Sequence, residues 1–368
     1  MALQVFAFNS IGPGVRAQLN ATDDLIIDAG VTVSRTDGNN FTQHTVQGIG
    51  SNHSLEIDGR VLGSGGVIDI GDQIFTDQNN DIDIGANAVV RSSDNYAIRM
   101  RSFDSTLKNE GSLQGDTFGV IIGGSNNATQ SFLNNSGSIL GKTDDGISRF
   151  GGSTEKLKIL NTGTIKGDEF SFDSNGTIAF DSIRNKGIMA GDVKLDGGDD
   201  LFNTRGGQVN GTVFGGNGND RMFGGAKSDT FEGGDGNDVL RGGGASDKLY
   251  GGLDKDILNG GGGRDFFEFK SLNDSKLAFG QRDLIQNFSQ KQNDKIDLSE
   301  IDAQASAAGD QAFDFIGKNA FSGQEGEVRY QKSGGQTLVQ VDTDGDFQAE
   351  MTFALNKVVN LVGSDFLL

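Results

Sequence analysis

The chain has 368 residues, a formal net charge of −20 at pH 7, 58 glycines, one proline and no cysteine or tryptophan. So much glycine does not suit a core of packed helices, and the acid excess argues against a nucleic-acid ligand, which needs clustered Lys and Arg. Without cysteine there is neither a disulfide nor a thiolate metal site.

The N-terminal stretch "MALQVFAFNSIGPGVRAQL" has no basic region followed by a sustained apolar one, so a secretory leader is not expected there. No apolar run approaches the roughly 18 residues of a membrane helix. "DDLIIDAGVTVS" reads as strand material, and from Leu55 a phrase of the form Gly-x-apolar-x-Gly sets in with "LEIDGRVLG". It returns as "LKNEGSLQG", "LNNSGSILG", "ILNTGTIKG" and "IRNKGIMAG", anchored at near-regular steps on Asn109, Asn135, Asn161 and Asn185. Two places before each Asn stands Leu107, Leu133, Ile159 or Ile183, and four places after it Leu113, Ile139, Ile165 or Met189. Glycine two and six places after each Asn would break a helix. Short strands at this period predict the coils of a right-handed parallel β-helix. Its Leu/Ile positions would stack inward, its Asn residues would form an amide ladder, and its glycines would allow positive φ between strands.

A sharper period follows. From Gly215 the chain reads GGNGNDRMF, GGAKSDTFE, GGDGNDVLR, GGGASDKLY, GGLDKDILN and GGGGRDFFE, ending at Glu268. The sixth position is always Asp (Asp220, Asp229, Asp238, Asp247, Asp256, Asp265), and the eighth always large and apolar (Met222, Phe231, Leu240, Leu249, Leu258, Phe267). Two degenerate units hold the same frame from Gly197. A flexible Gly-Asp linker would not need that eighth position. Each unit divides into a polar turn and a short strand, which predicts a coil of two units and sets each Asp beside the Asp two units on. Strands about 4.8 Å apart would bring those carboxylates into repulsion unless a cation lies between them. A hard cation taking six to eight oxygens, Ca2+, fits, whereas Zn2+ prefers His or Cys, and this region has neither.

These nonapeptides resemble the RTX (repeats-in-toxin) family, whose parallel β-rolls bind Ca2+ through carbonyls two and four and the Asp of one turn, with carbonyls one and three and the Asp of the turn two units later. The resemblance implies four sites. The first would use Gly216, Gly218 and Asp220 with Gly233, Asp235 and Asp238. The second would use Gly225, Lys227 and Asp229 with Gly242, Gly244 and Asp247. The third joins Gly234, Gly236 and Asp238 to Gly251, Leu253 and Asp256, and the fourth Gly243, Ala245 and Asp247 to Gly260, Gly262 and Asp265. Lys227, Ala245 and Asp254 replace the fourth-position glycine, so backbone strain is expected in those turns. Residues 215–268 hold eight Asp and two Glu against six Lys or Arg, a net −4. Without calcium they should resist folding, and extracellular calcium near millimolar would fold the chain after export. In "RGGQVNGTVFGGNGNDRMF" (205–223), Gly211 stands where Asp is needed. The first full site is therefore expected at Asp220, with the helix running into the roll without a hinge.

Beyond Glu268, "RDLIQNFSQKQNDKIDLSEIDA" precedes alternating stretches around "KSGGQT" and "DTDGDF", which predict successive hairpins. This segment resembles the C-terminal domain of serralysin-type secreted metalloproteases, a β-rich cap on the roll. In that family the C-terminus addresses the chain to the type I secretion machinery, and "VGSDFLL" looks like that signal. Asp342, Asp344, Asp346 and Glu350 have an EF-hand-like rhythm, but Gly345 comes two places too early for the standard loop. A further calcium site and a polar hairpin turn both remain open there.

The expected fold is all-β: a β-helix with an N-terminal cap (1–196), continuous with an RTX β-roll (197–268) and a sandwich-like C-terminal cap carrying the secretion signal (269–368). No His-Glu-x-x-His occurs, since the histidines are His44 and His53 alone, and no nucleophile elbow is found. Two function classes stay in play. One is a secreted, calcium-dependent solenoid serving as a matrix, surface-layer or adhesive component, with self-association into fibres. The other is a polysaccharide lyase or epimerase, for which "NYAIRMRS" supplies the one cluster, Tyr96, Arg99 and Arg101, read alternatively as exposed strand residues.

Overall fold

The computed structural model describes residues 3–6, 10–12, 16–20, 23–35, 44–71, 77–124, 129–150, 153–278, 280–304, 306 and 309–368. Parts of the N-terminal stretch, Pro13 included, lie outside the described residues. The chain is all-β and divides into two compact units, Met1–Val213 and Phe214–Leu368.

The first unit is a parallel β-helix with three short strands per coil. One coil comprises Thr106–Asn109, Ser112–Gly115 and Val120–Ile122, and the next Gln130–Asn135, Ser138–Gly141 and Ile147–Arg149. Each strand pairs in parallel with its equivalent one coil on. The predicted ladders form in that register. Leu107, Leu133, Ile159 and Ile183 are aligned neighbours, as are Leu113, Ile139, Ile165 and Met189, and all are buried. Asn109 Nδ2 donates to Asn135 Oδ1 (2.7 Å), Asn135 to Asn161 (2.8 Å) and Asn161 to Asn185 (2.8 Å). Every member is buried, so the ladder satisfies the oxygens of Asn135, Asn161 and Asn185 where water cannot, while Asn109 Oδ1 has no partner among the described residues.

Of the glycines after these Asn residues, Gly191 has the expected positive φ, but those two places after each Asn are needed for another reason. Gly111, Gly137, Gly163 and Gly187 do not have positive φ. Instead a Cβ at Gly137 would run into the Gly111 carbonyl, at Gly163 into the Gly137 carbonyl, and at Gly187 into the Gly163 carbonyl. Stacking distance, rather than handedness of the backbone, excludes a side chain. Gly211 is likewise hemmed in: a Cβ there would meet the Asp192 carboxylate, which already accepts from the Thr212 amide at 2.8 Å.

The second unit begins as a roll of two strands per coil. Met222 aligns with Leu240 and Leu258, and Phe231 with Leu249 and Phe267, each step spanning two repeat units, and all six side chains are buried. The cap then adds to both sheets of the roll. Leu284–Gln286 extends one sheet and Lys295–Asp297 the other. The hairpin Glu327–Ser333/Gln336–Asp342 turns at Gly334 and Gly335, both at positive φ, and Met351–Leu355 follows antiparallel. That strand lies parallel to Leu284–Gln286, while Phe366–Leu367 pairs with Lys295–Asp297.

Candidate metal centre

Each repeat buries its sixth-position Asp because the apolar side chain two places later must point inward, and residues two apart on a strand share a face. Asp220, Asp229, Asp238, Asp247, Asp256 and Asp265 are all buried. One oxygen of each of the last four is held by a fixed bond across the coil. The amides of Asp220, Asp229, Asp238 and Asp247 donate to the Oδ1 atoms of Asp238, Asp247, Asp256 and Asp265, at 2.7 to 3.1 Å. The stacking expected from the two-unit offset is therefore present in atoms.

The column does not stop where the nonapeptides do. The amide of Asp256 donates to Asp283 Oδ1 (3.0 Å) and that of Asp265 to Asp294 Oδ1 (3.1 Å). Both acids are buried. The sequence reading missed them because their offsets exceed the two-unit step, the intervening turns being longer. Their signal is the surviving Asp-x-apolar core: Asp283-Leu284-Ile285 and Asp294-Lys295-Ile296, with Ile285 and Ile296 in the inward slot.

The remaining oxygens test whether a cation fits. Oδ2 of Asp247, Asp256 and Asp265 is buried with no hydrogen-bond partner among the described residues. Burial pushes the Asp247 and Asp256 carboxyls up to about 7, and neighbouring carboxylates add to the rise. Burial also raises Asp229 and Asp265, and lifts Asp283 well above the carboxylate range. Such groups hold either a proton or a cation. The glycines of the turns bring further oxygen donors up to these carboxylates. A Cβ at Gly215 would fall between Asp220 Oδ2 and the Gly233 carbonyl, and one at Gly224 would fall between Asp229 Oδ2 and the Gly242 carbonyl. A Cβ at Gly233 would meet both Asp238 Oδ2 and the Gly251 carbonyl. At three of the four places implied by the repeats, the carboxylate of one turn and the first carbonyl of the next thus share one space. At the fourth, Gly242 backs onto the Asp247 carboxylate. An all-oxygen donor set of this kind suits Ca2+.

The turns are not equivalent. Gly216, Gly218, Gly234, Gly236 and Gly243 have positive φ, as do the substituted Ala245 (72°) and Asp254 (76°). Strain is therefore located at Ala245 and Asp254, as expected. Lys227 is not among the positive-φ residues, so the strain expected there is absent. Its turn is closed differently: the Gly225 amide donates to Asp229 Oδ2 at 2.9 Å, and the Gly225 carbonyl accepts from Gly244. Across the first and third pairs of turns, Gly218 donates to the Asp235 carbonyl (2.8 Å) and Gly236 to the Leu253 carbonyl (3.3 Å).

These turns, the roll and the cap lie within one matched region. Residues 205–368 match the family model for the peptidase M10 serralysin C terminal. Over that region, somewhat less than half of the chain, the protein is similar to the serralysin C-terminal family. No curated protein matches the chain. The serralysin match begins at Arg205, immediately before the degenerate unit opening at Gly206, and includes the cap strands described above. Among the described residues no helix is long and apolar enough to cross a membrane.

In the first unit, Tyr96, Arg99 and Arg101 do come together, but not as exposed strand residues. Asp69, wholly buried, accepts from Arg99 Nε (2.9 Å) and Nη2 (2.7 Å) and from Arg101 Nη2 (2.7 Å), with His44 Nε2 at 3.0 Å. The Tyr96 hydroxyl meets His44 Nδ1 at 3.1 Å, and the Arg99 guanidinium lies over the Tyr96 ring at 4.6 Å. Although burial opposes it, hydrogen bonding to Arg99 and His44 holds Asp69 down to about 2. Burial pushes the Tyr96 phenol above its usual range, the wrong direction for a base at neutral pH. His44 and Tyr96 are remote from each other in sequence, and only the coil register brings them together.

Proposed function

We propose that the chain is a secreted RTX-type protein whose roll folds on meeting extracellular Ca2+ and which then serves as a structural or adhesive component outside the cell. The observation that carries this reading is the row of buried Asp side chains whose Oδ2 atoms, at Asp247, Asp256 and Asp265, find no donor among the described residues. Calcium would be held by the carboxylates and turn carbonyls named above, Asp220 through Asp265, with Asp283 and Asp294 extending the rows. The ion supplies positive charge to carboxylates that otherwise favour protonation. Inside a cell, where free calcium is scarce, the rows would keep the roll from closing.

Type I export agrees with the position of the C-terminal residues. Asp365 and Phe366 are buried, Phe366 against Phe315 at 5.0 Å, and Asp365 Oδ2 accepts from Gln290 Nε2 (2.6 Å) and the Val362 amide (2.8 Å). A secretion machinery reading "VGSDFLL" would therefore meet it before the cap folds. Self-association is supported by Leu3–Phe6, Ser10–Gly12 and Ala17–Leu19. Among the described residues each of these strands pairs on one side, and Leu3, Val5 and Ile11 are exposed. Unpaired strand edges of this kind template further strands.

The test is a calcium titration of the purified full chain followed by circular dichroism and negative-stain microscopy. The β-signal should rise with Ca2+, and fibres should appear only with it. Indistinguishable spectra with and without calcium would overturn calcium-driven folding. Release of unsaturated sugars from alginate or pectin would overturn the non-catalytic role.

A further inference from the structure

The carboxylates of Asp342, Asp344, Asp346 and Glu350 each offer an oxygen, and the four oxygens lie within 4.8 Å of one another. They belong to the loop between the antiparallel strands Gln336–Asp342 and Met351–Leu355. Asp342 closes the first strand, and Glu350, next to the second, donates its amide to the Val341 carbonyl at 2.9 Å. The antiparallel return is what brings Glu350 back onto the Asp series.

Local bonds shape this loop without neutralising it. Asp342 Oδ1 accepts from the amides of Asp344 (3.2 Å) and Gly345 (2.7 Å), and Glu350 Oε2 from the Thr343 amide (2.7 Å). The Asp342 side chain is nevertheless wholly buried, and its other oxygen, Oδ2, has no hydrogen-bond partner. Burial raises both Asp342 and Glu350, and neighbouring carboxylates add to the rise. A buried carboxylate oxygen with no donor among the described residues, on one of four clustered carboxylates, is costly unless a positive ion completes it.

We propose that Asp342, Asp344, Asp346 and Glu350 bind a Ca2+ ion at a site of the cap that is separate from the roll. The donor set is all oxygen and rich in carboxylate, which suits Ca2+ and not a metal seeking nitrogen or sulfur. It is not an EF-hand. Glycine stands fourth rather than sixth, and the acidic residue that closes the site stands ninth rather than twelfth. The hairpin supplies the closure that a longer loop supplies elsewhere. The ion ties Gln336–Asp342 to Met351–Leu355, and the latter pairs with Leu284–Gln286, the strand that follows Asp283. No turn of the roll contributes a ligand, so this site does not rest on the reading of the roll.

The test counts bound calcium per full-length chain by equilibrium dialysis at fixed free Ca2+, with circular dichroism as the check on folding. Asp344 and Asp346 are exposed, so Asp344→Asn/Asp346→Asn should leave the β-signal unchanged and bind one ion fewer. Asp247→Asn/Asp265→Asn in the roll should lose other ions and keep this one. A parent that binds one ion, lost in the cap variant, would sink the roll reading and leave the cap site standing. The cap site is overturned if Asp344→Asn/Asp346→Asn binds as many ions as the parent. Should the double variant lose β-signal, Asp346→Asn alone must still weaken one ion at least tenfold. An unchanged titration overturns the proposal.

Discussion

The helix and the roll carry the same inward polar column but meet its electrostatic demand differently. In the helix the column occupies the position two before each inward apolar residue: His53, Asn80, Ser105, Ser131, Glu155, Asp181 and Asp200. The amides of His53, Asn80, Ser105 and Asp181 donate to the side chain one coil on, at 2.6 to 3.0 Å, as the Asp amides of the roll do. Four of these seven members carry no carboxyl group, and Glu155, Asp181 and Asp200 do. Where a carboxylate appears at Asp181, an arginine meets it: Arg149, itself fully buried, donates to Asp181 Oδ1 at 2.6 Å. Arg149 stands in the inward slot that Ile122, its register partner, fills with a hydrocarbon. In the roll, Asp247, Asp256 and Asp265 have no such cation acting on them. One hydrogen-bond slot thus recurs in both solenoids, with an arginine beside Asp181 in the helix and, on the reading proposed above, a cation beside the roll carboxylates.

The comparison is most directly broken by chelation. Removing Ca2+ at pH 8 should unfold residues 214–368 and leave 1–213 protected, as read by hydrogen exchange, and loss of protection in both units would erase the contrast. Next in size, Arg149→Met should make Asp181 a carboxylate without a cation and cost the helix about 3–5 kcal/mol in denaturant unfolding. A neutral result would mean that Asp181 takes up a proton once the arginine is gone, burial already raising it to about 6.

Glu155 sharpens the contrast by pH. Burial raises it to about 7 from 4.5, so the folded helix holds a proton between those values that the unfolded chain does not. Its contribution is fully present below about pH 4.5 and is lost as pH rises through 7. Glu155→Gln should therefore shrink the stability difference between pH 4 and pH 8 by on the order of 3 kcal/mol. An unchanged pH profile would show that its buried Oε2 is relieved otherwise. The smallest effect is expected at the amide ladder. Asn161→Ala strips partners from Asn135 and Asn185 and should cost about 1–3 kcal/mol, read as a lower midpoint of urea unfolding.

What the sequence disclosed follows from periodicity. Strict spacing revealed the Leu/Ile ladders, the Asn ladder, the two-unit coil and its buried Asp rows, because each depends on residues one fixed step apart. Asp283 and Asp294 escaped because longer turns broke the step while the local Asp-x-apolar core survived. The Asp69 cluster escaped for a different reason: His44, Asp69 and Arg99 come from three coils, and no single spacing marks them. The role of Gly137 and Gly163 was misjudged because a sequence shows that a side chain is excluded without showing whether φ or a neighbouring carbonyl excludes it.

The cross-coil bond in the roll has a direction, and that direction orders its vulnerability. Each Asp lends its amide to a carboxylate further along the chain, so every member leans on the one after it. Replacing the Asp256 side chain orphans the amide of Asp238, while the Asp256 backbone amide still donates to Asp283. Damage should therefore spread toward the N-terminus and never the other way. The far anchor of this dependency is Asp283, whose own amide comes to rest on Ser275 Oγ at 2.9 Å. Although it lies beyond the last glycine-rich repeat, it is the keystone of that row.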